Sequence, residues 1–152
     1  MNRTFIANLS HLDQIVPLFE AYRQFYGNPA DLESSKTFIE NRLRNQESVI
    51  FLHQTEAGSS VGFAQLYPSF SSVSAARIYI LNDLFVSPVA RRQGVASTLI
   101  KAATHFARSV GAIRLTLSTA NSNKTAQSLY EREGWIRESN FCNYNLSLSK
   151  ES

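Results

Sequence analysis

The residues best suited to chemistry lie in one stretch, Leu84-Phe85-Val86-Ser87-Pro88-Val89-Ala90-Arg91-Arg92-Gln93-Gly94-Val95-Ala96. There an apolar strand ends, and a basic turn opens directly into an amphipathic helix. The first amides of a helix have no partner inside it, and the helix dipole puts partial positive charge at the same end. Together they make a site suited to phosphate or pyrophosphate. Gly94 carries no Cβ, so a ligand can come close to the backbone; Ala96 is small for the same reason. Arg91 and Arg92 add positive charge at the rim. The plain alternative is a glycine that only relieves a tight turn, with solvated arginines. The stretch is neither a Walker loop nor a dinucleotide fingerprint, because the glycine spacing of both is absent.

That turn must be held by elements the rest of the chain supplies. Arg3 to Asn8 reads as a first strand. Ser10, with Asp13 three positions on, reads as the cap of a helix whose apolar face is Leu12, Ile15, Val16, Phe19, Tyr22 and Tyr26. Gly27-Asn28-Pro29 stops it, and a second helix runs from Leu32 to Arg44 with Phe38, Ile39 and Leu43 inward. Ser48 to Gln54 and Ser60 to Tyr67 read as a hairpin, and Pro68 to Ser74 as a flexible connection. Arg77 to Val86 is apolar on both faces, which marks a central strand; Ile78, Ile80, Leu84 and Val86 alternate with Tyr79, Leu81 and Phe85. Then follow a helix from Gly94 to Ser109, a strand from Arg114 to Ser118 and a helix from Asn123 to Arg132. Trp135 to Ser139 and Asn143 to Leu148 read as a last strand pair, with Tyr144, Leu146 and Leu148 inward. Strands interleaved with helices predict one α/β domain over residues 1–152.

Composition narrows the function classes. The 152 residues can bury a real core, and 43% apolar with 18% charged residues is ordinary for a globular chain. No apolar run reaches the length of a membrane span, and the first residues lack a signal-peptide core. One cysteine, Cys142, excludes an internal disulfide and a cysteine-built metal site, so a cytoplasmic home is expected. His11, His53 and His105 are too far apart in sequence to suggest a metal. The net charge of +3 suits an anionic ligand and is too scattered to imply nucleic acid. Ser71, Ser72 and Ser74 match no hydrolase elbow.

The turn Arg91-Arg92-Gln93-Gly94-Val95-Ala96 resembles the acetyl-CoA pyrophosphate loop of the GCN5-related N-acetyltransferases, the GNAT family. A second stretch, Asn123-Lys124-Thr125-Ala126-Gln127-Ser128-Leu129-Tyr130 with Gly134-Trp135, resembles the family's later motif in the right order and separation. The likeness is close from Arg77 to Trp135. It implies a mixed, twisted sheet of about seven strands with helices on both faces, splayed after Arg77–Val86 to admit the cofactor. By that resemblance the backbone of Leu84, Phe85 and Val86 pairs with the pantetheine arm. The turn around Arg91, Arg92, Gln93 and Gly94 and the amides of Val95, Ala96 and Ser97 hold the pyrophosphate. Asn123 bonds the pantetheine, Ala126 leaves it space, and Tyr130 lies near the sulfur.

The chemistry of acetyl transfer agrees with those placements. An alkyl ammonium, with a pKa of about 10.4, must lose a proton before it attacks. Attack develops charge on the thioester oxygen, which amides at the strand end can stabilise. The leaving thiolate needs a proton, and a tyrosine hydroxyl with a pKa of about 10 can give it. Tyr130 is that candidate acid; packing in the stripe Ala126, Leu129, Tyr130 is the alternative. Some polyamine and yeast-type histone acetyltransferases of the family carry an acidic or Asn-Asp pair where this chain has Asn82-Asp83. Asp83 can attract an ammonium or relay its proton; Asn82 cannot be a base. Tyr22-Arg23 stands where diamine enzymes tend to have Tyr-Glu, and Arg23 suits a carboxylate. Tyr22, Tyr26, Tyr67 and Tyr79 are candidates to line an amphipathic pocket.

The expected function is therefore transfer of acetyl from acetyl-CoA to a small primary amine, polyamine-like or amino-acid-like, without metal. The rivals are acetylation of a protein lysine or chain N-terminus, and a CoA-binding sensor without catalysis. The resemblance also implies a homodimer, joined through the C-terminal strands.

Overall fold

The structure, a computed structural model, describes residues 1–149. They fall into two compact units, Met1–Ser118 and a smaller one from Thr119 onward. The first unit holds a five-stranded sheet in the order β1-β2-β3-β4-β5. Its strands are β1 (Arg3–Ile6), β2 (Val49–Gln54), β3 (Ser60–Ser71), β4 (Ala76–Val86) and β5 (Leu115–Thr116). The first four pair antiparallel; β5 joins β4 in parallel, which makes the sheet mixed. Helices α1 (Leu12–Phe25) and α2 (Leu32–Arg44) cover one face, and α3 (Val95–Ser109) covers the other. Ile50, Leu52, Phe63 and Phe85 pack with Ile15, Val16 and Phe19 of α1, whereas Phe51 and Tyr79 meet Phe106 of α3. Period-two alternation along the strands produces this division.

The second unit contains α4 (Lys124–Arg132) and no strand among its described residues. The expected strand pair Trp135–Ser139 and Asn143–Leu148 is therefore not formed, and the sheet has five strands rather than about seven. Tyr144, Leu146 and Leu148, expected inward, are exposed. Alternation alone does not make a strand; a ladder partner is also required.

Two other expectations change for local reasons. The cap is Asn8, not Ser10, and it closes a short 3-10 turn, Leu9–His11, that leads into α1. Asn8 Oδ1 accepts from Ser10 N at 2.9 Å, and His11 Nδ1 accepts from Asn8 N at 3.0 Å. Pro68 to Ser74 is mostly strand, since β3 continues to Ser71 opposite Ala76 and only a tight turn separates them. Pro68 is tolerated because β2 pairs no further than Leu66, so its missing N–H breaks no ladder there.

The decisive irregularity lies in β4. Gln65 faces Asp83 but Leu66 faces Leu81, so Asn82 is an extra residue, a β-bulge. The bulge reverses the side-chain parity of the strand. Before it, odd-numbered Tyr79 faces α3; after it, odd-numbered Phe85 faces α1. The regular alternation expected through Arg77–Val86 thus breaks at Asn82.

Candidate active site

Asp83 sits on the α1 side of the sheet just past the bulge, with 2% of its surface exposed. Gln65 Nε2 donates to its Oδ2 at 2.6 Å and Asn82 Nδ2 to its Oδ1 at 2.7 Å. Ser48 donates in turn to Gln65 Oε1 at 2.8 Å, which turns the Gln65 amide so that its nitrogen meets the carboxylate. Burial raises the Asp83 pKa above the ordinary carboxylate value, opposed by the bonds from Asn82, Gln65 and Tyr22. The tyrosines respond as neighbours of a buried negative charge. Burial and Asp83 push the Tyr22 hydroxyl well up, and they raise Tyr67 to about 12. Both hydroxyls therefore stay protonated and act as donors at neutral pH. The Tyr22 hydroxyl donates a hydrogen bond to the Asn82 carbonyl at 3.2 Å, which ties α1 to the bulge.

These groups line a cavity of about 370 Å³ walled by Phe19, Tyr22, Arg23, Phe38, Tyr67 and the Asn82-Asp83 pair. The structure thus brings together all four residues expected to bind acceptor: Tyr22, Arg23, Asn82 and Asp83. Of the four candidate tyrosines, Tyr22 and Tyr67 line the cavity. Tyr79 is buried on the opposite face, and Tyr26 is exposed outside it. Gln65, Ser48, Phe19 and Phe38 were not expected. Gln65 did leave a signal, as the lone polar residue between Phe63 and Tyr67 on an inward strand face.

The turn expected to hold an anion follows the end of β4. β5 pairs only with Tyr79 and Ile80, so β4 runs on with one edge open among the described residues. Ser87 N–H bonds Val61 on the β3 side, which turns the Val86 carbonyl, and by alternation the Leu84 backbone groups, toward the open edge. The Phe85 backbone faces β3 instead. Arg91 Nε already donates to the Val86 carbonyl at 3.0 Å, with the guanidinium lying over Phe25 and Phe85. Arg91 thus folds back over the strand end and leaves Arg92 to supply the rim charge.

The turn itself is built for α3. Arg92 and Gly94 both take positive φ, 62° and 79°, and Gly94 is the N-cap with no side chain to close the helix. A Cβ on Gly94 would meet no atom within 4 Å, so the left-handed backbone is the visible reason for glycine there. Gly62 has the complementary reason. A Cβ on it would lie 3.0 Å from Val95 Cγ1 and 3.2 Å from Leu99 Cδ1, so glycine lets the first turns of α3 settle on the sheet. No acidic residue occupies the first turn of α3. An uncapped helix start, a left-handed turn and an open strand edge fit a pyrophosphate with a linear arm. Gly94→Asp should therefore abolish coenzyme A binding through charge repulsion and backbone strain of about 1–2 kcal/mol. Calorimetric titration with coenzyme A reads the first effect and the melting temperature the second.

In the second unit, Asn123 caps α4 by accepting from Ala126 N at 3.2 Å, so its Nδ2 donors are the ones a ligand can use. Tyr130 packs its ring against Trp135 at 5.8 Å between centroids, and its carbonyl accepts Trp135 N–H at 2.9 Å. Among the described residues, no cluster of three His, Cys, Asp or Glu could hold a metal, and no helix is long and apolar enough to cross a membrane. Cys142 is exposed.

Residues 15–135 match the model of the acetyltransferase (GNAT) family. The uncharacterized N-acetyltransferase YhfO of Bacillus subtilis (strain 168) is 47% identical over 93% of this chain and 95% of its own length. A thialysine N-epsilon-acetyltransferase of Bos taurus is 36% identical over 49% of each chain. The crystal structure of a probable acetyltransferase superposes with a TM-score of 0.92 at 47% identity, covering 98% of this chain and 99% of that one. The open strand edge, the uncapped turn at Gly94 and these relatives agree: the chain belongs to the GNAT family of acetyltransferases.

Proposed function

We propose that the protein carries acetyl from acetyl-CoA to a primary amine of a small molecule, polyamine-like or amino-acid-like, by direct attack. The observation that supports a small acceptor is the aromatic-walled cavity with a buried carboxylate in its wall. Bound acetyl-CoA supplies the activated acetyl thioester. The backbone of Leu84 and Val86, the turn from Arg92 to Ser97, and Asn123 with Ala126 hold it. Asp83 draws in the acceptor ammonium and takes its proton, directly or through water, with Gln65 and Asn82 steadying the carboxylate. Tyr22 and Tyr67 shape the aromatic wall around that cation. The Tyr130 hydroxyl gives a proton to the departing thiolate.

The bovine relative's name, thialysine N-epsilon-acetyltransferase, puts a small-molecule side-chain amine in the acceptor role, in keeping with this reading. A CoA sensor would have no use for a base beside the cavity. The reading is tested by thiol release from acetyl-CoA at mildly alkaline pH against polyamines, amino acids, aminoglycosides and lysine peptides. Release that depends on one small-amine class is expected. Release with peptides alone would move the acceptor to proteins. No release, with coenzyme A still stabilising the fold, would favour the sensor.

The same reading pairs two copies through the C-terminal segment. Tyr144, Leu146 and Leu148 alternate there, each more than three-quarters exposed as is Phe141 before them, and a second copy would cover them. Sedimentation equilibrium should give a dimer at micromolar concentration, and a monomer at the highest soluble concentration would refute the pairing.

A further inference from the structure

The acceptor cavity is charged at two places with opposite sign. Asp83 supplies the buried negative group. Arg23, half-buried on α1, supplies a guanidinium that lines the same cavity. Its Nη1 donates to Ser35 Oγ at 3.2 Å. That serine hydroxyl donates onward to Glu20 Oε1 at 3.1 Å, and Glu20 Oε2 accepts Asp31 N at 2.9 Å. Glu20 thus reaches Arg23 only through a hydroxyl, and Arg23 forms no ion pair among the described residues. The chain Glu20–Ser35–Arg23 fixes one end of the fork and leaves the other donors unused. A planar fork with free donors, held in place beside a cavity, is suited to bind a carboxylate.

The other candidate anion site near the cavity is already filled. The start of α2 is capped by Asp31, whose carboxylate takes both Ser34 N and Ser34 Oγ, at 3.1 and 2.7 Å. An incoming anion would meet that negative charge; Arg42, whose guanidinium lies over Phe38, is paired with Glu47 at 3.1 Å, so among the described residues Arg23 is the unpaired cation lining the cavity. The rest of the lining is largely aromatic, with Phe19 and Phe38 stacked at 5.5 Å, and it suits an apolar body rather than a second charge. A second ammonium, as in a diamine, would be placed against a guanidinium.

We propose that the acceptor is an amine that also carries a free carboxylate, an amino-acid-type molecule, with its ammonium at Asp83 and its carboxylate on Arg23. This rests on the transferase reading and names the substrate class of the same site. Arg23 then selects against polyamines by repulsion as well as selecting for amino acids by pairing.

The test uses matched pairs that differ only in the carboxylate: lysine with cadaverine, ornithine with putrescine, phenylalanine with phenethylamine. With the wild-type protein, kcat/KM for thiol release should favour at least one carboxylate-bearing member by about 10- to 100-fold, the weight of a hydrogen bond to a charged group. Calorimetric binding of the same pair, without acetyl-CoA, should show the same order. Arg23→Gln should bring the ratio near one, and Arg23→Lys, which keeps the charge, should retain part of it. The wild-type comparison needs no variant, so a misfolded variant would not shield the proposal. Turnover of diamines equal to or better than their amino-acid partners would overturn it and leave the transferase standing. No thiol release with any amine would overturn both.

Discussion

Replacing Asp83 with Asn should lower kcat/KM for the amine by about 10²- to 10⁴-fold, the usual weight of a positioned base, with coenzyme A binding unchanged. The substitution keeps size and removes the charge and the proton-accepting oxygen. It also turns one amide nitrogen toward the donors of Gln65 or Asn82, which flank the carboxylate at 2.6 and 2.7 Å. The pH dependence gives a sharper reading. A base works only when deprotonated, and burial raises the Asp83 pKa. The acid limb of the kcat/KM profile should therefore fall above the ordinary carboxylate range, not within it. Gln65→Leu removes a donor that favours the charged form, so it should move that limb further up in pH. Ser48→Ala, which frees the Gln65 amide to rotate, should move it in the same direction by less. Should Asp83→Asn keep both the wild-type rate and the acid limb, Asp83 has no part in proton transfer.

Tyr130→Phe should reduce turnover by a comparable factor, about 10²- to 10⁴-fold, while acetyl-CoA binding stays nearly constant. The variant preserves the ring and backbone contacts with Trp135. The ring still meets Trp135, and the backbone bond from Trp135 N to the Tyr130 carbonyl is untouched. Only the hydroxyl is lost, so a drop in turnover without a change in coenzyme A affinity isolates proton donation. Normal turnover would assign Tyr130 to packing, the role that the stripe Ala126, Leu129, Tyr130 also permits. A variant with weakened cofactor binding would instead place the hydroxyl among the binding contacts.

The two residues show different kinds of legibility. Tyr130 stands in a run whose order and spacing match a family motif, so a role for it can be inferred before any coordinates. Arg92, Gln93 and Gly94 are legible for a physical reason as well. Gly94 takes a φ of 79°, and a strand–turn–helix passage with a glycine before the helix is a local signal. The helices α2 and α3 likewise follow from periodicity and stops, and both lie where the pattern places them.

Where local rules met long-range ones, the reading changed. Asn8 caps the short turn leading into α1 because His11 returns the bond, a choice between two neighbouring caps that residue types alone leave open. Pro68 enters a strand because no neighbour contests that edge. The last two expected strands lack a ladder, since apolar alternation sets a face but supplies no partner.

The chain's own residue order determined most of the α/β elements, the turn at Gly94 and the family to which they belong, because caps, periods and left-handed turns act between near neighbours. Tertiary structure alone decided how the four candidate acceptor residues come together in one cavity. Tyr22 reaches the Asn82 carbonyl across 60 residues, and Ser48 orients Gln65 from the loop just before β2. The bulge at Asn82 turns Asp83 onto the α1 face, where burial raises its pKa. One extra residue in a register has no signature in a linear pattern, since it exists only relative to the strand it pairs with.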